Sequence, residues 1–146
     1  MASIIDIKQA FDTALLNYST TNGIRISWEG VSFTPVEGET FLDPHFIPTR
    51  PVQKELVGVN TKTRCEGYYQ INAVTKAGTG MNALYAQYEG LQAIFNRGTA
   101  LNYTNASAEN ILVEINRYYM NDLNESESPY MFIPIFVEFR SDILVG

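Results

Sequence analysis

The chain has 146 residues, of which 45% are apolar and 18% charged, and its formal net charge is -6. That length suits one domain spanning 1–146 that buries its own core, and that composition excludes a disordered chain. The acidic balance excludes a general binder of nucleic-acid backbone, because phosphate affinity comes from Lys and Arg that displace condensed counterions; such a chain can still surround DNA without gripping it. The single cysteine, Cys65, excludes an internal disulfide framework and a multi-thiolate metal site. No amino-terminal segment reads as a signal peptide and no apolar run reaches the roughly 18 to 20 residues that span a bilayer, which points to maturation in a cytosol.

In chain order, Ser3 to Tyr18 reads as a helix, with Ile4, Ile7, Phe11, Ala14, Leu15 and Tyr18 on one face, Ser3 and Asp6 as a capping box and Asn22-Gly23 as its stop. From Gly23 the period becomes two, and Ile24, Ile26 and Trp28 read as a half-buried strand. Phe41 to Arg50 is apolar and extended, but Pro44, Pro48 and Pro51 lack a donor for a ladder, so this segment is expected at an edge or in an irregular strand. Arg50 to Leu56 and Thr61 to Val74 are expected to pair as a long hairpin around Gly58-Val59-Asn60. Its arms hold Arg50, Lys54, Lys62 and Arg64, four of the ten basic residues. A second helix is expected from about Gly80 to Asn96, capped by Thr79 and closed by Gly98, with Gly90 marking close packing.

Three strands follow, Ala100 to Thr104, Asn110 to Met120 and Tyr130 to Arg140, with an acidic loop from Asp122 to Glu127 between the last two. In the last strand Met131, Ile133, Ile135, Val137 and Phe139 make one apolar face, and Tyr130, Phe132, Pro134 and Phe136 make the other apolar as well. An antiparallel strand with one wet face alternates instead. The expected fold is α+β, with two helices packed on one face of a mostly antiparallel sheet and a projecting β-hairpin. Two helices cover one face, so the remaining surface around Phe132 and Phe136, with Tyr118 and Tyr119 as further candidates, is expected to be covered by association.

Candidate chemistry is thin. Gly78-x-Gly80-x-x-Ala83 matches a dinucleotide fingerprint in form, but the strand before it is polar on one face and no acid follows about 20 positions on. His45 is the only histidine and has no local nucleophile signature. Cys65 reads as an inert small side chain, and the acidic loop lacks a calcium-loop pattern. No catalytic residue, cofactor or metal ligand is expected.

The whole-chain layout resembles the small tail terminator proteins of long-tailed bacteriophages. The likeness runs through the amino-terminal helix ending near Asn22-Gly23, the Pro-rich extended segment, Gly67-Tyr68-Tyr69-Gln70-Ile71-Asn72-Ala73, Gly78-Thr79-Gly80, the helix through Gln87 and Phe95, and the terminal strands. The resemblance implies a non-enzymatic virion protein forming a ring, typically a hexamer. Such a ring caps the tail tube, ends its polymerisation and offers a docking surface to the head-side connector, with DNA passing through the bore without specific binding. It also implies subunit contacts on the hairpin, here Arg50 to Arg64 with Arg50, Lys54, Lys62 and Arg64, which join the apolar Phe132 and Phe136 already expected from the strand pattern to need cover. The alternatives are another neck component, such as a stopper or connector, and a small nucleotide-binding enzyme using the Gly78 to Ala83 turn.

Overall fold

A computed structural model describes residues 3–49, 52–57, 60–123 and 129–145, without the side chains of 52–57, 60–62, 144 and 145. Two helices and seven strands follow in the order α1 (Ile4–Asn22), β1 (Arg25–Ile26), β2 (Phe41–Pro48), β3 (Val52–Val57), β4 (Asn60–Lys76), α2 (Asn82–Phe95), β5 (Ala100–Thr104), β6 (Asn110–Met120) and β7 (Tyr130–Val145). The strands form one curled sheet in the order β1-β2-β4-β7-β6-β5, with β3 joined to β4 alone. The sheet is mixed, because β1 runs parallel to β2 while the other pairs are antiparallel.

Ring contacts show what sits on the helix-bearing face. Phe11 of α1 stacks on Tyr69 of β4 at 4.7 Å and meets Phe95 of α2 and the edge of Phe139 of β7 at 5.9 and 5.1 Å. The odd-numbered residues of β7 from Met131 to Ile143 are all buried, as strand alternation requires of a face packed under helices. On α1, the Ser3 N–H donates to Asp6 at 2.9 Å and Gly23 closes the helix at φ 65°, the left-handed conformation that glycine adopts without a Cβ penalty.

Two local expectations need correction, and a third is met in one of its two forms. Helix α2 starts at Asn82 with Met81 at its cap, and the Thr79 hydroxyl donates back to the Lys76 carbonyl, so Thr79 closes a turn and caps nothing. The strand expected through Trp28 is only Arg25–Ile26, and the connection after it folds back so that Phe33 packs on Phe41 at 4.8 Å. The proline-bearing segment lies at an edge, as expected, because among the described residues β1 reaches only Phe41 and Leu42; it is not irregular, and pairs with Gly67 to Val74 of β4 without a break. Its prolines are tolerated because every second N–H points away from β4. Pro44 and Pro48 occupy two of those positions, and between them the Phe46 N–H donates to the Glu29 carboxylate at 2.7 Å.

Strand β4 is longer than the neighbours on either side of it. Its second half lies between β2 and β7, while its first half lies between β3 and the last residues of β7. The expected hairpin is therefore a three-stranded arm made of β3, residues 60–65 of β4 and residues 141–145 of β7. Its tip, Gly58 and Val59, lies outside the described residues, as do Arg50, Pro51 and residues 124–128 of the acidic loop.

Candidate subunit interface

The unbroken β4–β7 register puts Arg64 opposite Asp142, Tyr68 opposite Glu138 and Gln70 opposite Phe136. Side chains two apart share a face, so Arg64, Phe132 and Phe136 all lie on the side of the sheet away from the helices. Asp142 and Phe136 are six residues apart, about 20 Å along the strand. The structure thus places Arg64, Phe132 and Phe136 on one surface, the arginine at one end and the phenylalanines towards the other. Lys54 and Lys62 are placed by backbone only, on β3 and β4 of the arm, and Arg50 lies outside the described residues.

The arm end of this surface is ionic. Arg64 makes a two-pronged contact with Asp142 at 2.9 and 3.1 Å, which raises the guanidinium's already high pKa chiefly through that hydrogen bond. Arg140 reaches Glu114 at 2.7 Å and Arg117 lies 3.7 Å from Glu138. These are cross-strand pairs of the kind that modestly stabilise antiparallel sheets.

The other end is aromatic. Phe136 stacks against Tyr119 at 5.4 Å and meets the edge of Tyr68 at 6.1 Å, and Arg117 lies over the Tyr119 ring at 4.7 Å. Ile47, opposite Tyr68 in the ladder, remains 41% exposed beside this cluster. Phe132 and Phe136 are half-buried. Part of the surface assigned to a partner is covered by the chain itself: Phe33 shields Phe41, whose edge meets Tyr130 at 6.0 Å.

Tyr118 does not belong to this surface. A bulge in β6 between Ile115 and Arg117 shifts the alternation, so Tyr118 turns inward and stacks on Tyr88 of α2 at 4.9 Å, with its hydroxyl donating to the Tyr88 carbonyl. Tyr119 then faces outward. Ile47 and Tyr68 were not singled out in the sequence. The alternation through Gly67-Tyr68-Tyr69 does carry a signal, since only one of two adjacent tyrosines in a strand can face the core.

The chemical alternatives lose their settings. His45 bonds Asp43 at 3.0 Å and lies 3.8 Å from Glu29, on the sheet face opposite the buried Cys65. Burial pushes the Cys65 thiol up, with Asp142 adding to the effect, so the sulfur is a poor nucleophile. The Gly78 to Ala83 turn does not open a βαβ unit: β5, the next strand after α2, is separated from β4 by β7 and β6 and runs antiparallel to it. Among the described residues no group of three His, Cys, Asp or Glu side chains is placed to hold a metal.

A family model described as phage tail terminator protein matches residues 6–139. No curated protein matches the sequence. One solved chain, which carries a serial designation in place of a functional name, is similar over 100% of both chains with a TM-score of 0.70 at 19% identity. A second, from a structure described as the virion of a native gene transfer agent particle, is similar over 86% of this chain and 84% of that one, with a TM-score of 0.52 at 12% identity. At those identities the two structures speak to the fold.

Proposed function

Because the chain belongs to the phage tail terminator family, whose members are structural virion proteins and not enzymes, we propose that it forms a ring that caps the tail tube, ends its polymerisation and presents a docking surface to the head-side connector. In this reading residues 1–146 act as one domain and one subunit, the ring is a hexamer at the head-proximal end of the tail, and assembly takes place in the host cytoplasm. The observation that carries the reading is the extent of the family match, which takes in both helices, the hairpin and the aromatic end of the sheet. Subunit contacts are assigned to the arm, with Arg50, Lys54, Lys62 and Arg64, and to the surface around Phe132 and Phe136.

Passage of DNA without adhesion is supported by the charge arrangement. Six of the seven described Lys and Arg side chains (Lys8, Arg25, Arg64, Lys76, Arg117 and Arg140) lie within 3.7 Å of a carboxylate. Cations held this way are poorly disposed to exchange with phosphate counterions. The test is assembly of tail tube protein with and without this chain, followed by electron microscopy. Tubes of limited length with a ring at one end are expected. Tubes that grow equally long in its presence, or a chain that binds portal complexes and ignores tubes, would move it to another neck role.

A further inference from the structure

We infer that neighbouring copies join through main-chain strand pairing, with the outer edge of β3 on one copy laid along residues 141–145 of β7 on the next. This rests on the ring reading above and specifies how the ring closes. Among the described residues β3 pairs with β4 alone, so its other edge is unpaired. On the far side of the arm, β7 keeps β6 as a partner only as far as Arg140, opposite Glu114. Beyond that point the two strands part. The Ser141 hydroxyl still reaches the Leu112 carbonyl at 2.6 Å, and a cleft of about 240 Å³ opens between Leu112, Glu114, Arg140, Ser141 and Asp142. Among the described residues the arm is thus a ribbon whose two outer edges carry no further strand, and such edges are ready templates for another strand.

Direction decides what those edges join. Both β3 and β7 run antiparallel to β4, so they run the same way as each other. Pairing like with like, β3 against β3, needs a two-fold axis and stops at two copies. Pairing β3 against the next copy's β7 is head-to-tail, uses every edge and closes by rotation about an axis along the arm. The edge is also guarded. The β3–β4 register shifts between Gln53 and Glu55, placing a bulge at Lys54, and bulges and lysines are devices that keep sheet edges from indiscriminate pairing. Glu55 to Val57 remains regular, which confines pairing to the outer part of the arm.

The test is directed disulfide crosslinking in a Cys65→Ala background. Within one subunit Glu55 lies opposite Lys62, which lies opposite Leu144, so these positions are level across the arm. The variants Glu55→Cys with Leu144→Cys, and Val57→Cys with Leu144→Cys, sample two registers and are oxidised after assembly on tail tubes. A covalent ladder rising to the full ring is expected from at least one double variant, and none from any single variant. A companion variant replaces residues 53–62 with a short glycine-containing turn, its folding checked by circular dichroism and melting, and is expected to stay a single subunit. Rings that form without any ladder overturn edge pairing, whatever the companion does, and leave the ring itself standing. A parent chain that never assembles on tubes removes both.

Discussion

Tyr69 shows how much one side chain organises. Its ring is buried between Phe11 and the end of α2, and its hydroxyl donates to Asp12 of α1 at 2.7 Å, so a single residue ties the sheet to a helix by packing and by a charge-assisted hydrogen bond. Burial first, then the Asp12 charge and hydrogen bond, raises the phenol far above its ordinary value of 10.0. A group whose folded pKa is raised contributes stability that is fully present below its unfolded pKa. That contribution is lost as pH rises from there toward the folded value. Stability is therefore expected to be level in this term up to about pH 10 and to fall above it. Tyr69→Phe removes the hydrogen bond and keeps the ring, at an expected cost of about 1 to 3 kcal/mol at neutral pH, with a shallower alkaline decline. Urea unfolding at several pH values reads both. Which of Tyr68 and Tyr69 takes this place is not decided by hydrophobicity, since both are tyrosines; it is decided by register, with Tyr69 in the same alternation as the apolar Ile71 and Ala73.

Among the elements, α1 was the most legible, because a 3.6-residue period, a capping pair and a terminal glycine all agree at Ser3, Asp6 and Gly23. The hairpin was legible in its pairing, as two extended runs around a turn sequence. Strand β2 was legible in part: its prolines place it at an edge, where it lies, but they also leave open an irregular strand where the ladder with β4 is regular. The β6 bulge carried no signal at all: Asn116 is an ordinary strand residue, and the inward turn of Tyr118 comes from packing against Tyr88. Gly90 was read as a sign of close packing, and the structure supplies the neighbour. A Cβ there would stand 2.5 Å from the Tyr18 hydroxyl and 3.1 Å from its ring, while that hydroxyl donates to Gln87 of α2 at 2.7 Å. An exposed Gly→Ala change in a helix gains about 1 kcal/mol. Gly90→Ala is instead expected to lower the melting temperature, because Tyr18 must move and lose its bond. A rise would show that the contact between α1 and α2 yields freely.

For the whole molecule, net charge was legible and its disposition was not. A net charge of -6 does not say how the charges are arranged; the sheet face away from the helices alternates acid with base, because antiparallel neighbours set Arg64 beside Asp142 and Arg140 beside Glu114. Asp142→Asn combined with Glu114→Gln leaves both guanidiniums without those partners. The double variant is expected to acquire salt-dependent retention on duplex DNA that the parent lacks. Each arginine that engages a phosphate adds about 0.9 to the steepness of log K against log salt. Filter binding across a salt series measures it, and equal retention of parent and variant would show that these pairs do not restrain the arginines.

The β4–β7 pair keeps one register from Thr61 opposite Val145 to Lys76 opposite Tyr130. No bulge or break divides the part that carries the helices from the part that reaches outward, so the arm has no hinge at its root. In the proposed ring, a load placed on the arm by a neighbouring copy would pass along these two continuously paired strands into the layer beneath Phe11 and Phe95, so the subunit would answer as a lever rather than as a tethered hook.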